Sequence, residues 1–126
     1  MDLKLKGKRV LVTGASKGIG KSCAMVLAQE GCEVLLVSRD GAALKELAAE
    51  IKAATGVKVD YLSADLGAKG SAKTVSDWAG ELDILVNNAG AIPGGDLLTV
   101  DEDTWRTAWD LKFLVTSIFV AKSIAR

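Results

Sequence analysis

The sequence predicts a single doubly wound α/β unit, a parallel sheet covered by helices. Three observations predict it. Apolar strand-like runs alternate with helical patterns four times along the chain. Such alternation implies parallel strands joined by right-handed crossovers. The run Val34-Leu35-Leu36-Val37 is continuously apolar, as a strand covered on both faces must be. No hairpin signal joins any two strands; single long helices fill the connections.

The first strand is read over residues 10–13, from the run Val10-Leu11-Val12. The first helix follows from about Gly18 to Glu30, with Ile19, Cys23, Val26 and Leu27 at helical spacing. Gly31 suits the position just past its end. The second strand covers residues 33–38. Asp40 can cap the next helix. Leu44, Leu47, Ala48 and Ile51 give that helix its apolar stripe, and Gly56 ends it. The third strand is read over residues 57–63, with alternation at Val57, Val59 and Tyr61. Ala68, Ala72, Val75 and Ala79 mark a weaker third helix, loosened by Gly70. Ile84-Leu85-Val86 is the fourth strand. Residues 91–98 read as a loop, with the sole proline, Pro93, and Gly94-Gly95. A last helical region begins near Asp101 and is apolar on most sides from Trp105 to Ala125. Such a helix is buried by sheet on one side and by something else on the other.

Composition narrows the function classes. The 126 residues are 49% hydrophobic, enough for one domain with a core. The 16 basic and 16 acidic residues balance to zero, which argues against a dedicated nucleic-acid surface. The start, Met1 to Arg9, has no apolar signal-peptide core, and no run is long enough to span a bilayer. No membrane partner is expected. Cys23 and Cys32 read as reduced small hydrophobes. Without histidine or a C-x-x-C spacing, neither a metal site nor a histidine-based triad is expected. A cytoplasmic location fits these features.

The most informative segment is Thr13-Gly14-Ala15-Ser16-Lys17-Gly18-Ile19-Gly20. It joins a strand to a helix N-terminus. Its glycines allow a tight bend and close backbone approach to a pyrophosphate. The free N–H groups of the helix then face the anion, and the helix dipole favours it. A second motif, Asn87-Asn88-Ala89-Gly90, follows the fourth strand directly. Both motifs therefore fall at the carboxyl ends of the strands, where open parallel sheets bind ligands, at the switch point between the first and fourth strands.

With Asp65-Leu66 between them, these motifs make the chain resemble the short-chain dehydrogenase/reductase family, in its nicotinamide-binding N-terminal half. The resemblance covers nearly the whole chain. It implies a Rossmann-type sheet, here of about four strands in the order 3-2-1-4, with a dinucleotide across the strand ends. By that resemblance Gly14, Ser16, Lys17, Gly18 and Ile19 border the ribose and phosphates, within a motif that Gly20 completes. Asp65 and Leu66 flank the adenine. Asn87 and the backbone of Asn88, Ala89 and Gly90 border the ribose on the way to the nicotinamide. The asparagines also suit strand-end hydrogen bonding that pins adjacent loops, and the two roles are compatible.

Cofactor choice follows from charge. An Asp or Glu after the second strand would accept hydrogen bonds from the ribose 2′-hydroxyl and favour NAD. Here Ser38 takes that position and Arg39 follows. Arginine offers a charge-assisted fork to a 2′-phosphate, and Lys17 adds a second cation. The pair resembles the family's NADP pattern, so NADP is favoured over NAD. Both are otherwise ordinary solvated cations, and the Asp40 carboxylate is a competing partner for the ribose.

The resemblance also implies a catalytic Tyr-x-x-x-Lys pair and a preceding serine, and neither has a counterpart here. The single tyrosine, Tyr61, has Asp65 four positions on. No catalytic residue is therefore assigned. Residues 1–126 read as the cofactor-binding portion of the family, without its catalytic half and inactive alone. Lys112 stands where the family places an active-site asparagine, either in substitution for a relay water or as a neutral variant. The reading is the N-terminal part of an NADP(H)-dependent oxidoreductase acting on carbonyls or alcohols such as 3-oxoacyl compounds or other ketones. The alternative is a non-catalytic dinucleotide-binding or interaction module. A flavodoxin-like or nucleotide-sugar epimerase unit is disfavoured by Asn87-Asn88-Ala89-Gly90. A homo-oligomer is expected, through the sheet edge at Ile84-Leu85-Val86 and the helix bearing Trp105, Trp109, Phe113, Leu114, Ile118, Phe119 and Val120.

Overall fold

Two strands whose residues are apolar without interruption must sit where both faces are covered, and they do. A computed structural model describes residues 1–89 and 100–109. It places β1 (Arg9–Thr13) and β2 (Glu33–Ser38) at the centre of a parallel sheet. β3 (Val59–Ser63) lies outside β2, and β4 (Ile84–Val86) lies beside β1, so the order is β3-β2-β1-β4. The expected α/β class and strand order are thus both present. Register sets Val12 beside Leu36 on one side and beside Val86 on the other.

The side-chain alternation of the central strands divides the core in two. Val10, Val12, Val34 and Leu36 pack with α1 (Gly18–Gln29) and α2 (Gly41–Thr55) through Ala24, Ala28, Leu44, Leu47 and Ile51. Leu11, Leu35 and Val37 pack on the opposite face with α3 (Ser71–Ala79) through Ala72, Val75 and Ala79. All of the named strand residues are 2% exposed or less. Each such side chain contributes about 1.5–3 kcal/mol by burial. The crossover from β3 to β4 therefore changes face, which opens the switch point between β1 and β4.

The helix boundaries follow local chemistry. Gly31 ends α1 at a φ of 91°, and Gly56 ends α2 at 74°, both in the left-handed region. Asp40 Oδ1 accepts from Ala43 N at 3.1 Å and caps α2. Asp101 Oδ1 accepts from Thr104 N at 2.8 Å at the start of α4 (Glu102–Trp109), and hydrogen bonding from the Thr104 side chain, then from its backbone N–H, lowers the Asp101 carboxyl pKa. Cys32 is fully buried, and burial, then the charges of Glu30 and Asp83, push its thiol pKa up. At the other end of the sheet from the glycine-rich loop, the Arg9 guanidinium donates to the carbonyls of Ala79 and Glu81 and pairs with Glu33.

Two sequence expectations are corrected. The third strand starts at Val59, not at residue 57, and Tyr61 is 36% exposed because β3 is an outer strand. The third helix starts at Ser71. Gly70 opens it from a φ of 80°, rather than loosening its interior, and Ala68 lies before it. The loop read at 91–98, most of the last helical region beyond Trp109, and Lys112 lie outside the described residues.

Candidate cofactor site

The site begins with a hydroxyl at the end of an aliphatic strand. Thr13 is fully buried. Its Oγ1 accepts from Asn88 N at 3.0 Å and from Ala89 N at 2.9 Å, and donates to Val86 O at 3.3 Å. Asn88 Nδ2 donates to Gly14 O at 3.1 Å. One threonine and one asparagine thus lock the turn after β1 to the turn after β4.

Two glycines make this lock possible. A Cβ at Gly14 would lie 2.9 Å from Asn88 Nδ2 and 3.1 Å from Ala89 Cα. A Cβ at Gly20 would lie 2.2 Å from Gly14 O and 2.6 Å from Asn88 Nδ2. Gly18 is different: its φ is 58°, yet among the described residues no neighbouring segment comes within 4 Å of where its Cβ would stand. Gly14 and Gly20 serve packing between protein segments, whereas Gly18 presents bare backbone to open space.

At this point α1 starts, and its N-terminus is left uncapped. Lys17, at the N-cap, makes no side-chain cap bond, and no acidic residue occupies the first turn. α2 and α4, in contrast, each hold a backbone N–H on an aspartate. Among the described residues, the N–H groups opening α1 are therefore donors without a side-chain acceptor, at the positive end of a helix dipole.

A cleft of about 750 Å³ lies over these strand ends. The glycine-rich loop lines it with Gly14, Ser16, Lys17, Gly18 and Ile19. Val37, Ser38, Arg39 and Asp40 line it after β2, and Ala64, Asp65 and Leu66 after β3. Asn88 and Ala89 close it beside β4. The structure therefore brings together most of the residues singled out in the sequence. Gly20 and Asn87 are not among the lining residues, since Gly20 packs beneath the loop against Gly14 O. Gly90 lies outside the described residues. Sequence reasoning missed Thr13 as the fastener, although a hydroxyl ending Val10-Leu11-Val12 was a visible signal. It also missed Val37 and Ala64 as lining residues.

The charges are unevenly engaged. Among the described residues, Lys17 and Arg39 make no ion pair, and both are exposed. Asp40 holds the α2 N-terminus with one carboxylate oxygen, and its N–H donates to Ser38 Oγ at 3.2 Å. Asp65 Oδ1 accepts from Gly67 N at 2.9 Å. Among the described residues no group of His, Cys, Asp and Glu suits a metal ion, and no helix is long and apolar enough to cross a membrane.

A family description, short chain dehydrogenase, matches residues 8–125. The chain belongs to the short-chain dehydrogenase family. It is 46% identical over 105 residues to a very-long-chain 3-oxoacyl-CoA reductase of Eremothecium gossypii, covering 78% of this chain and 30% of that protein. It is 36% identical over 118 residues to a rhamnolipids biosynthesis 3-oxoacyl-[acyl-carrier-protein] reductase of Pseudomonas aeruginosa, covering 91% and 45%. Among solved structures it resembles the L-sorbose reductase of Gluconobacter frateurii complexed with NADPH and L-sorbose. That likeness has a TM-score of 0.89 at 30% identity, over 96% of this chain and 48% of that one. A short-chain dehydrogenase from Sphingobium yanoikuyae in complex with NADPH gives 0.83 at 32% identity, over 92% and 47%. The chain thus spans less than half the length of these short-chain dehydrogenases.

Proposed function

We propose that this chain is the cofactor-holding part of an NADP(H)-dependent oxidoreductase that interconverts carbonyls and alcohols. The observation that carries the proposal is the pairing of two unengaged cations, Lys17 and Arg39, with an uncapped helix N-terminus on one cleft. The residues present fit a phosphorylated dinucleotide. Gly18 leaves room for a pyrophosphate, the N–H groups opening α1 have no side-chain cap, and Arg39 after β2, with Lys17 in the glycine-rich loop of the same cleft, offers positive charge to a 2′-phosphate. NADP(H), when bound, supplies or accepts the hydride.

The chain's own residues bind and orient. Asp65 and Leu66 flank the adenine. Ser38 leaves the ribose edge without an acidic competitor, and Asp40 is occupied in capping α2. Asn88 and Ala89 hold the wall toward the nicotinamide end through Thr13. The relatives named as 3-oxoacyl reductases and the neighbour seen with L-sorbose support ketones as the substrate class. The 126 residues contain no Tyr-x-x-x-Lys, so proton transfer is assigned to none of them, and this segment alone binds cofactor without turnover. Self-association belongs to the same reading, supported by the outer position of β4 and by Trp105 and Trp109, which are 41% and 52% exposed.

Fluorescence titration with NADPH and NADH tests the cofactor assignment. NADPH binds more tightly, and Arg39→Ala reduces that preference about tenfold, as expected for a charge-assisted hydrogen bond of about 1.5 kcal/mol. Equal affinity of the unmodified protein for both cofactors would refute it.

A further inference from the structure

We infer that Ser63, at the end of β3, is a positioning residue for cofactor choice: it sets the backbone from which Arg39 reaches a 2′-phosphate. This rests on the NADP reading above and extends it to a residue outside the cleft lining.

The turn after β2 is held from β3. Ser38 pairs with Ser63 in the β2–β3 register, and Ala64 N donates to Ser38 O at 2.8 Å. One residue on, Ser63 Oγ donates to Arg39 O at 3.0 Å. That bond crosses from β3 to the turn, and it fixes Arg39 by its carbonyl. The Arg39 side chain is left without an ion pair among the described residues. The serine side chain also sits against the start of α2, where a Cβ on Gly41 would lie 3.2 Å from Ser63 Cβ. Ser63 thus braces Arg39 from behind while leaving its guanidinium free for a ligand.

The bond is at the surface, and Ser63 belongs to neither core cluster. Removing the hydroxyl exposes the Arg39 carbonyl to water rather than stranding it, so the fold loses little. What changes is the freedom of the turn. An arginine on a looser backbone must be ordered when the phosphate binds, and that ordering lowers affinity by about three- to tenfold. A ligand lacking the 2′-phosphate does not use Arg39 and is spared.

The test uses adenosine 2′,5′-bisphosphate and adenosine 5′-monophosphate as probes, titrated calorimetrically against the intact protein. Ser63→Ala weakens the bisphosphate about three- to tenfold and changes the monophosphate less than about twofold. Ser63→Thr keeps the hydroxyl and binds both probes like the parent, whereas Ser63→Val, of the same shape, behaves like Ser63→Ala. The Thr/Val pair carries the test if Ser63→Ala does not fold. In an Arg39→Ala background, Ser63→Ala causes no further loss, because a residue acting through Arg39 is silent without it. If the parent protein binds both probes equally, the NADP reading fails and this inference with it. If the parent prefers the bisphosphate but Ser63→Ala and Ser63→Val leave that preference intact, or weaken both probes alike, the positioning role alone is overturned.

Discussion

Replacing Gly20 by alanine tests the lock between the two turns. A methyl group there would sit 2.2 Å from Gly14 O, against the 3.0 Å that real Cβ contacts essentially never undercut. The nearest obstacle is backbone, so no side-chain rotation relieves it. Either α1 shifts away from the turn or Gly14 turns its carbonyl, and the 3.1 Å bond from Asn88 Nδ2 to that carbonyl is lost. Overpacking of this kind costs about 1–3 kcal/mol, and the hydrogen bond adds about 0.5–1.5 kcal/mol. Alanine in a helix returns about 1 kcal/mol relative to glycine. The net is a destabilisation of about 0.5–3.5 kcal/mol, or roughly 2–15 °C in melting temperature for a domain of this size. Thermal unfolding followed by far-UV circular dichroism measures it. Adding Asn88→Ala does not restore stability, since Gly14 O is the closer atom. A Gly20→Ala protein melting within about 2 °C of the parent would show that the lock carries no strain and that the reasoning is wrong.

Two further substitutions separate structure from ligand binding. Thr13→Val removes the fully buried hydroxyl that accepts from Asn88 N and Ala89 N; Asn88 N keeps Val86 O at 3.0 Å, so the loss of the Ala89 N acceptor should cost about 1–3 kcal/mol in urea unfolding, with Thr13→Ser close to the parent. Lys17→Asp gives α1 the cap it lacks, at a residue already extended at φ −158° and ψ 170°, and should add about 0.5–2 kcal/mol of stability while weakening NADPH binding at least tenfold by placing a carboxylate among the phosphate donors.

What the sequence made legible was what depends on near neighbours. The continuous apolar run of β2 announces a central strand because both its faces need cover, and its bounds were read without error. Gly31 and Gly56 mark helix ends because only glycine takes their left-handed backbone cheaply, and Asp40 caps because its carboxylate reaches an N–H three residues on. Gly70 misled for the same local reason: a glycine inside an alanine-rich pattern reads as a weak helix, whereas its positive φ turns the chain into one. Alternation in β3 reports which way Tyr61 points, not whether anything lies beyond an outer strand to cover it. In the site, the glycine motif could not distinguish its members. Gly18 faces open space among the described residues, whereas Gly20 faces Gly14 O and, behind it, Asn88 Nδ2, and spacing in the motif does not say which glycine turns which way.

The uncapped start of α1 makes sense once that lock is seen. A helix entering from a turn needs its first residues held, and α2 and α4 achieve this with aspartates that use up backbone N–H groups. α1 is held instead by close backbone contact, with Gly20 seated on Gly14 and Gly14 tied to Asn88. The restraint comes from behind the helix, so the N–H groups in front stay available. A side-chain cap would stabilise the helix by satisfying the donors an anion needs, and a larger residue at position 20 would break the restraint that replaces the cap. Packing glycines and an absent cap are therefore one device: they fix the helix in place while leaving its positive end for a ligand.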